Sequence, residues 1–270
     1  MLSSRLRPIV PEPVLPTVGL HLIATNQYIR FLPRMIDSVY KNFFPTMRRH
    51  VIIYTDDPSP PLLPDRYKGV TFHIIGISHE PWPYVTLKRF HYFSMCDIPL
   101  DYSFYCDVDS VFVGTLHHSL LSEKLLGTMH PGHIGATKEG GLIPGKGTVC
   151  TDPTSTAYIP EGENEFYYCG GFFGGPHSKF MELTAQLKER IQTDMDNNVM
   201  AEWHDESHLN WYFWKNPPTL LIYPFAVQEG PIFEKTCVMF LDKGAIGGHG
   251  AFRTDRPPGL SMSRIGFKRR

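Results

Sequence analysis

Ser103-Phe104-Tyr105-Cys106-Asp107-Val108-Asp109-Ser110-Val111-Phe112 is an apolar run that halts on two aspartates one residue apart and then resumes. In an extended strand, side chains at i and i+2 share a face, with Cα atoms roughly 7 Å apart. Two carboxylates so placed repel each other unless a cation lies between them. Hard divalent ions take oxygen ligands and commonly use one or two protein carboxylates, with substrate phosphates completing the shell. Asp107 and Asp109 are therefore candidate ligands for a metal carrying a phosphorylated substrate. An arbitrary Asp-x-Asp is more often a solvated turn, but the flanking apolar residues argue for a buried strand that ends at the sheet edge, where open α/β folds place ligands.

Working outward, Val18 to Thr25, His50 to Thr55 and Val70 to Ile75 read as strands, and Tyr28 to Phe44 and Val85 to Cys96 as helices. This alternation predicts an α/β fold with a largely parallel sheet. Pro58, Pro60, Pro61 and Pro64 make a loop of the connection between the second and third strands. Residues 137–156, rich in Gly, Thr and Pro, read as a long surface loop with a binding role. Pro176 to Asn198 is an amphipathic helix whose core face carries Phe180, Leu183, Leu187, Ile191 and Met195. The division expected is a proline-rich arm over residues 1–17, one domain over 18–255 and a basic tail over 256–270.

The 270 residues are 42% hydrophobic, enough for a sizeable core, and 26 basic against 27 acidic residues leave a net charge of −1. That balance gives no electrostatic footprint for nucleic acid. No apolar run reaches the roughly 20 residues of a membrane span, and no signal peptide is visible, so a soluble, cytoplasmic chain is expected. Cys96, Cys106, Cys150, Cys169 and Cys237 show neither C-x-x-C pairs nor metal-ligand spacing and read as reduced, mostly buried thiols.

Two further stretches carry chemistry. In Phe166-Tyr167-Tyr168-Cys169-Gly170-Gly171-Phe172-Phe173-Gly174-Gly175, glycines admit a close ligand while aromatics offer faces that suit a sugar; a glycine-kinked buried strand is the competing reading. In Trp203-His204-Asp205-Glu206-Ser207-His208-Leu209-Asn210, the bland reading is an acidic first helical turn capped by Asp205 or Ser207. The functional reading turns the Glu206 carboxylate toward a sugar carbon, with Trp203 and His204 shaping the pocket.

With His130-Pro131-Gly132 and Ala157-Tyr158-Ile159-Pro160, these motifs occur in an order that resembles glycosyltransferase family six, the retaining enzymes that include the blood-group A and B transferases and α-1,3-galactosyltransferase. The resemblance runs from about Leu22 to Arg253. It implies a GT-A fold, a Rossmann-like mixed sheet flanked by helices with an acceptor-binding C-terminal half. It implies a UDP-galactose or UDP-N-acetylgalactosamine donor, manganese (or magnesium), and an α-1,3 linkage to a galactose-type glycan acceptor. On the matching positions, Ile23, Ala24, Thr25 and Tyr28 would cradle uridine, Arg89 would bind donor, and Trp82 would lie on a mobile loop over the diphosphate. Asp107-Val108-Asp109 would be the DXD motif holding metal and donor. Gly170, Gly171 and Asp205 would contact the donor sugar, and His130 and Trp203 the acceptor. Glu206 resembles the proposed nucleophile, which either forms a covalent intermediate or stabilises the cation during front-face attack.

Some positions depart from the pattern. Cys169 is unexpected beside Gly170 and Gly171, and the small Gly171 resembles the N-acetylgalactosamine-using pattern. Arg253 fits a diphosphate-clamping arginine, but Gly247 stands where a clamping lysine is expected, so Lys243 or His249 would substitute. Glu229 stands where an acceptor-binding aspartate is expected. Without the membrane anchor and stem of the vertebrate Golgi members, the sequence as given is expected to be a short microbial or viral member or an excised catalytic domain. Two other classes compete. Asp107 also resembles the nucleophile of haloacid-dehalogenase-type phosphatases, although about 100 residues precede it where that motif usually opens the chain. A non-catalytic carbohydrate-binding protein would have no need of Asp107, Asp109 and Glu206 together.

Overall fold

The computed structural model describes residues 15–62, 64–136, 142–244 and 247–252. The proposed arm up to residue 14, the whole proposed tail and Arg253 lie outside the described residues. In chain order the elements are β1 (Thr17–Ile23), α1 (Leu32–Asn42), β2 (Arg48–Thr55), β3 (Val70–Gly76), α2 (Tyr84–Leu87) and α3 (Arg89–Phe93). There follow β4 (Tyr102–Cys106), β5 (Ser110–Phe112), β6 (Leu126–Met129), β7 (Ile134–Ala136), β8 (Leu142–Pro144), β9 (Tyr168–Pro176), α4 (His177–Asp196) and α5 (Asp205–Lys215). The chain continues with β10 (Thr219–Leu221), β11 (Ala226–Gln228), β12 (Val238–Phe240) and α6 (Gly248–Phe252).

Seven strands form one sheet in the order β10-β6-β9-β4-β1-β2-β3. The β4-β1-β2-β3 half is parallel, and β9 runs antiparallel to both β4 and β6, so the sheet is mixed. β1 is buried from Val18 to Leu22, as a strand covered on both faces must be, whereas edge strand β3 alternates between partly buried and exposed positions. From β1 the chain winds to β2 and β3 on one side, while β4 pairs with β1 on the other. The carboxyl ends of β1 and β4 therefore open a crevice at a topological switch point, the usual ligand position in such sheets. Residues 23–25 and 107–109 sit there.

Several expectations need correction. The helix expected over Tyr28 to Phe44 begins as a 3-10 turn, Asn26–Phe31, before Pro33 starts α1. The helix expected over Val85 to Cys96 breaks at Lys88 into α2 and α3. The loop expected over residues 137–156 contains β8, which pairs with β7. Asp107 and Asp109 are not strand residues: β4 ends at Cys106, and the pair occupies the turn into β5. The aromatics of the Gly-rich motif face the core, not a ligand. Phe172 stacks on Phe104 with ring centroids 6.0 Å apart, and Phe173 packs on Tyr105 and Phe180. Among the described residues, no helix is long and apolar enough to cross a membrane. All five cysteines are free, and all but Cys237 are buried.

The core contains a polar thread. His21 on β1 is fully buried between Tyr54 Oη at 3.0 Å and Ser103 Oγ at 3.3 Å, and its ring stacks on Phe180. Burial lowers its pKa to about 3, with His177 adding to the effect. The unfolded chain takes up a proton near pH 6.5, the folded chain only near 3, so the unfolded state binds more protons across that window. Stability is then lost as pH falls from about 6.5 to 3, at about 1.4 kcal/mol per pH unit from this residue alone. Unfolding free energies measured across this range should fall with pH, His130 and His208 contributing in the same direction, and His21→Asn should make the fall shallower.

Candidate active site

The site is built on Arg89. At the break between α2 and α3, this buried arginine projects into the crevice instead of running along a helix surface. Its Nη1 donates to the Gly170 carbonyl at 2.6 Å, and its Nε pairs with Asp205 Oδ2 at 2.8 Å. Its Nη2 lies 3.8 Å from Asp107 Oδ1, and the guanidinium sits 4.5 Å over the Tyr105 ring. One cation thus ties β4, β9 and α5 together. Burial works against its charge, but Asp205, Tyr105 and Asp107 more than offset it and hold the pKa above the usual value.

The aspartate pair faces the same space. Tyr105 Oη donates to Asp107 Oδ1 at 2.6 Å, and Lys243 Nζ forms an ion pair with Asp109 Oδ2. Burial raises the pKa of Asp107 against the pull of Arg89, and the charge on Asp109 raises it further. A Cβ at Gly171 would collide with the Phe240 ring and lie 3.1 Å from Asp107 Oδ2, so β9 can come this close to the aspartates only with glycine there. An all-oxygen donor pair suits a hard divalent cation, although in this structure the Lys243 ammonium takes the Asp109 carboxylate. On this donor set, Asp107 and Asp109 fit the metal that the sequence implies.

Glu206 lies in the first turn of α5. Trp203 O accepts from its N–H at 3.0 Å, and its own Oε2 accepts from Gly170 N–H at 2.7 Å. Asn210, one turn on, exchanges hydrogen bonds with both backbone groups of Tyr168 and so clamps α5 to β9. Burial raises the Glu206 pKa, opposed chiefly by the Gly170 N–H. Asp205 is raised to about 7 by burial, against Arg89 and with Glu206 adding to the rise. The expected side-chain cap is absent: Asp205 is committed to Arg89, and Ser207 Oγ accepts from Trp203 N–H at 2.8 Å. The cap residue is His204, held at φ 53°, a conformation that costs a non-glycine residue free energy and is characteristic of functional turns. Its ring meets the Trp82 edge at 5.1 Å.

Two adjoining cavities share Trp82, Thr86, Arg89, Asp107, Asp109 and Lys243. The first is lined by Ile23, Thr25, Tyr28, Val108 and Phe252, whose aromatic rings pair at 5.4 Å. The second is lined by His130, Cys169, Gly170, Gly171, Trp203, Asp205, Glu206 and Gln228. Two sequence candidates lie elsewhere. Ala24 is in the core, its N–H donating to Tyr54 O. The Glu229 carboxylate accepts from Asp242 N–H at 2.8 Å and lies 3.9 Å from Arg34, leaving its neighbour Gln228 on the cavity wall. Sequence reading missed Phe252 and Gln228. The His249 side chain lies outside the described residues.

The profile of Glycosyltransferase family 6 matches residues 12–232. The chain belongs to this family. Among family members, it is 31% identical over 220 residues to globoside alpha-1,3-N-acetylgalactosaminyltransferase 1 of Gallus gallus, covering 77% of this chain and 60% of that protein. It is 31% identical over 221 residues to histo-blood group ABO system transferase 1 of Rattus norvegicus, covering 79% of this chain and 61% of that protein. It is 29% identical over 208 residues to the O-antigen biosynthesis glycosyltransferase WbnI of Escherichia coli, covering 76% and 85%. The chain thus spans about 60% of the length of these vertebrate members. Family membership overturns the phosphatase reading of Asp107.

Proposed function

We propose that this chain is a glycosyltransferase that moves N-acetylgalactosamine, in preference to galactose, from its UDP-sugar to a galactose-type acceptor in α-1,3 linkage with retention, using manganese or magnesium. The observation that carries this reading is the Arg89 clamp, which brings the Asp107-Asp109 pair, Asp205 and the Gly170-Glu206 contact to one pair of joined cavities. Diphosphate chemistry and sugar chemistry then lie side by side.

In this reading Ile23, Thr25, Tyr28 and Phe252 enclose the uracil and ribose, and Asp107 and Asp109 hold the metal. When bound, the metal supplies positive charge that stabilises the departing diphosphate. Lys243, paired with Asp109, supplies the ammonium for the diphosphate that the family pattern puts at position 247; the arginine of that pattern matches Arg253. Asp205, fixed by Arg89, contacts a donor-sugar hydroxyl. The preference for N-acetylgalactosamine rests on the family pattern at Gly171, since the space a side chain would take there is filled by the Phe240 ring and Asp107. As the anomeric carbon gains positive charge, Glu206 faces it, oriented by Gly170 N–H. His130, Trp203 and Gln228 hold the acceptor.

Asp109→Asn removes both a metal ligand and the partner of Lys243. We expect it to weaken metal-dependent UDP binding by roughly tenfold or more, read by calorimetry with and without manganese. The whole reaction is tested by incubating UDP-N-acetylgalactosamine with a galactose-terminated oligosaccharide and taking the proton spectrum of the product. A small anomeric coupling and a cross-peak to galactose C3 are expected. A β anomer, or attachment at another carbon, would contradict the proposal.

A further inference from the structure

Away from the aspartates, a ring nitrogen of His130, Cys169 Sγ and a carboxylate oxygen of Glu206 lie within 4.8 Å of one another, the one such three-residue cluster among the described residues. By composition this nitrogen, sulfur and oxygen set resembles a zinc site. Its hydrogen bonds say otherwise. Gly132 N–H donates to His130 Nδ1 at 3.0 Å. Nδ1 must then present its lone pair to the backbone, and the neutral imidazole carries its proton on Nε2. A protonated nitrogen does not ligate a metal.

The arrangement is built, not incidental. His130 N–H is anchored to Tyr167 O at 3.0 Å, and the His130 ring packs against His133 and Tyr167 with centroids 4.7 and 5.7 Å away. A Cβ at Gly132 would lie 2.9 Å from His130 Cε1 and 3.1 Å from Nδ1, so glycine is needed for the backbone to reach the ring. Burial lowers the His130 pKa to about 4, which keeps the ring neutral. Burial and the charge on Glu206 push the Cys169 thiol well up, so it stays protonated and is a poor ligand.

We propose that the His130-Pro131-Gly132 turn is a tautomer lock: Gly132 N–H makes His130 a fixed Nε2–H donor to the cavity. The donor selects acceptor sugars that offer a hydroxyl or ring oxygen at that point, and it bars a metal from the His130-Cys169-Glu206 cluster. The identity of the ligand rests on the transferase reading; the tautomer does not. Gly132 is a positioning residue, acting through His130.

The test has an arm for each. In a long-range nitrogen–proton spectrum of the histidine-labelled full chain, with His130 assigned by its loss in His130→Gln, the Nε2-protonated pattern is expected. The Nδ1-protonated pattern would overturn the lock. Cobalt(II), added as a spectroscopic probe, should give no thiolate charge-transfer band; a band lost in Cys169→Ser would overturn it too. In kinetics, Asn places its amide near the Nδ1 position and Gln near Nε2. His130→Asn should raise the acceptor KM by roughly tenfold. His130→Gln should recover most of that loss, and the effect should fall on KM more than on kcat. Equal losses in the two variants would overturn the donor role. Absence of turnover with every acceptor would count against the transferase reading, while the spectrum would still decide the lock.

Discussion

Replacing Glu206 with glutamine is expected to lower transfer by roughly 10³-fold or more while changing UDP-sugar affinity by no more than about threefold. The glutamine oxygen can keep the hydrogen bond from Gly170 N–H, so the local geometry survives. What disappears is the negative charge facing the anomeric carbon, which matters only as that carbon becomes cationic. An interaction realised in the transition state alone appears in kcat and not in ground-state binding. Equal activity of Glu206→Gln and the parent chain would remove Glu206 from the mechanism, whichever of the covalent and front-face routes operates.

The second large effect belongs to Arg89. Arg89 and Asp205 are a buried pair, with side-chain exposures of 6% and 7%. Removing one partner of such a pair strands the other's charge and costs about 3–5 kcal/mol, whereas removing both costs far less. Arg89→Leu should therefore lower stability by about that amount, measured by denaturant unfolding, and should abolish transfer. Adding Asp205→Asn to Arg89→Leu should restore most of the stability and none of the activity, because Asp107 and Gly170 remain unclamped and the donor-sugar contact at Asp205 is altered as well. If the double variant regained activity, Arg89 would be a structural residue only.

Much of this was legible in the sequence because it is local. The strands ending at Ile23 and Cys106 were readable from apolar runs, and α4 from the 3.6-residue spacing of Phe180, Leu183, Leu187 and Ile191. The family was readable because its motifs are ordered and specific. What escaped depends on three-dimensional convergence. Nothing in the run of residues around Arg89 announces that it will bridge Gly170, Asp205 and Asp107, residues up to 116 positions away, or that the helix must break at Lys88 to let it. The aspartates were given to a strand because their alternation fits one, yet the sheet ends at Cys106 and a turn presents them. Glu229 was named because it stands where the family pattern has an acceptor-binding aspartate. In extended chain adjacent residues face opposite ways, so once Gln228 lines the cavity its neighbour turns toward Asp242 and Arg34. For the aromatics between the glycines, sequence left a sugar platform and a buried strand open, and packing on Phe104, Tyr105 and Phe180 decides for the strand.

The most direct measurement is UDP release from UDP-N-acetylgalactosamine and UDP-galactose, with a panel of galactose-terminated acceptors, in manganese and in chelator. The account predicts release that requires the metal, is accelerated by a galactose-terminated acceptor, and is faster with UDP-N-acetylgalactosamine. Release undiminished by chelator would contradict the metal role given to Asp107 and Asp109, and a chain that neither binds nor turns over either UDP-sugar would contradict the account as a whole.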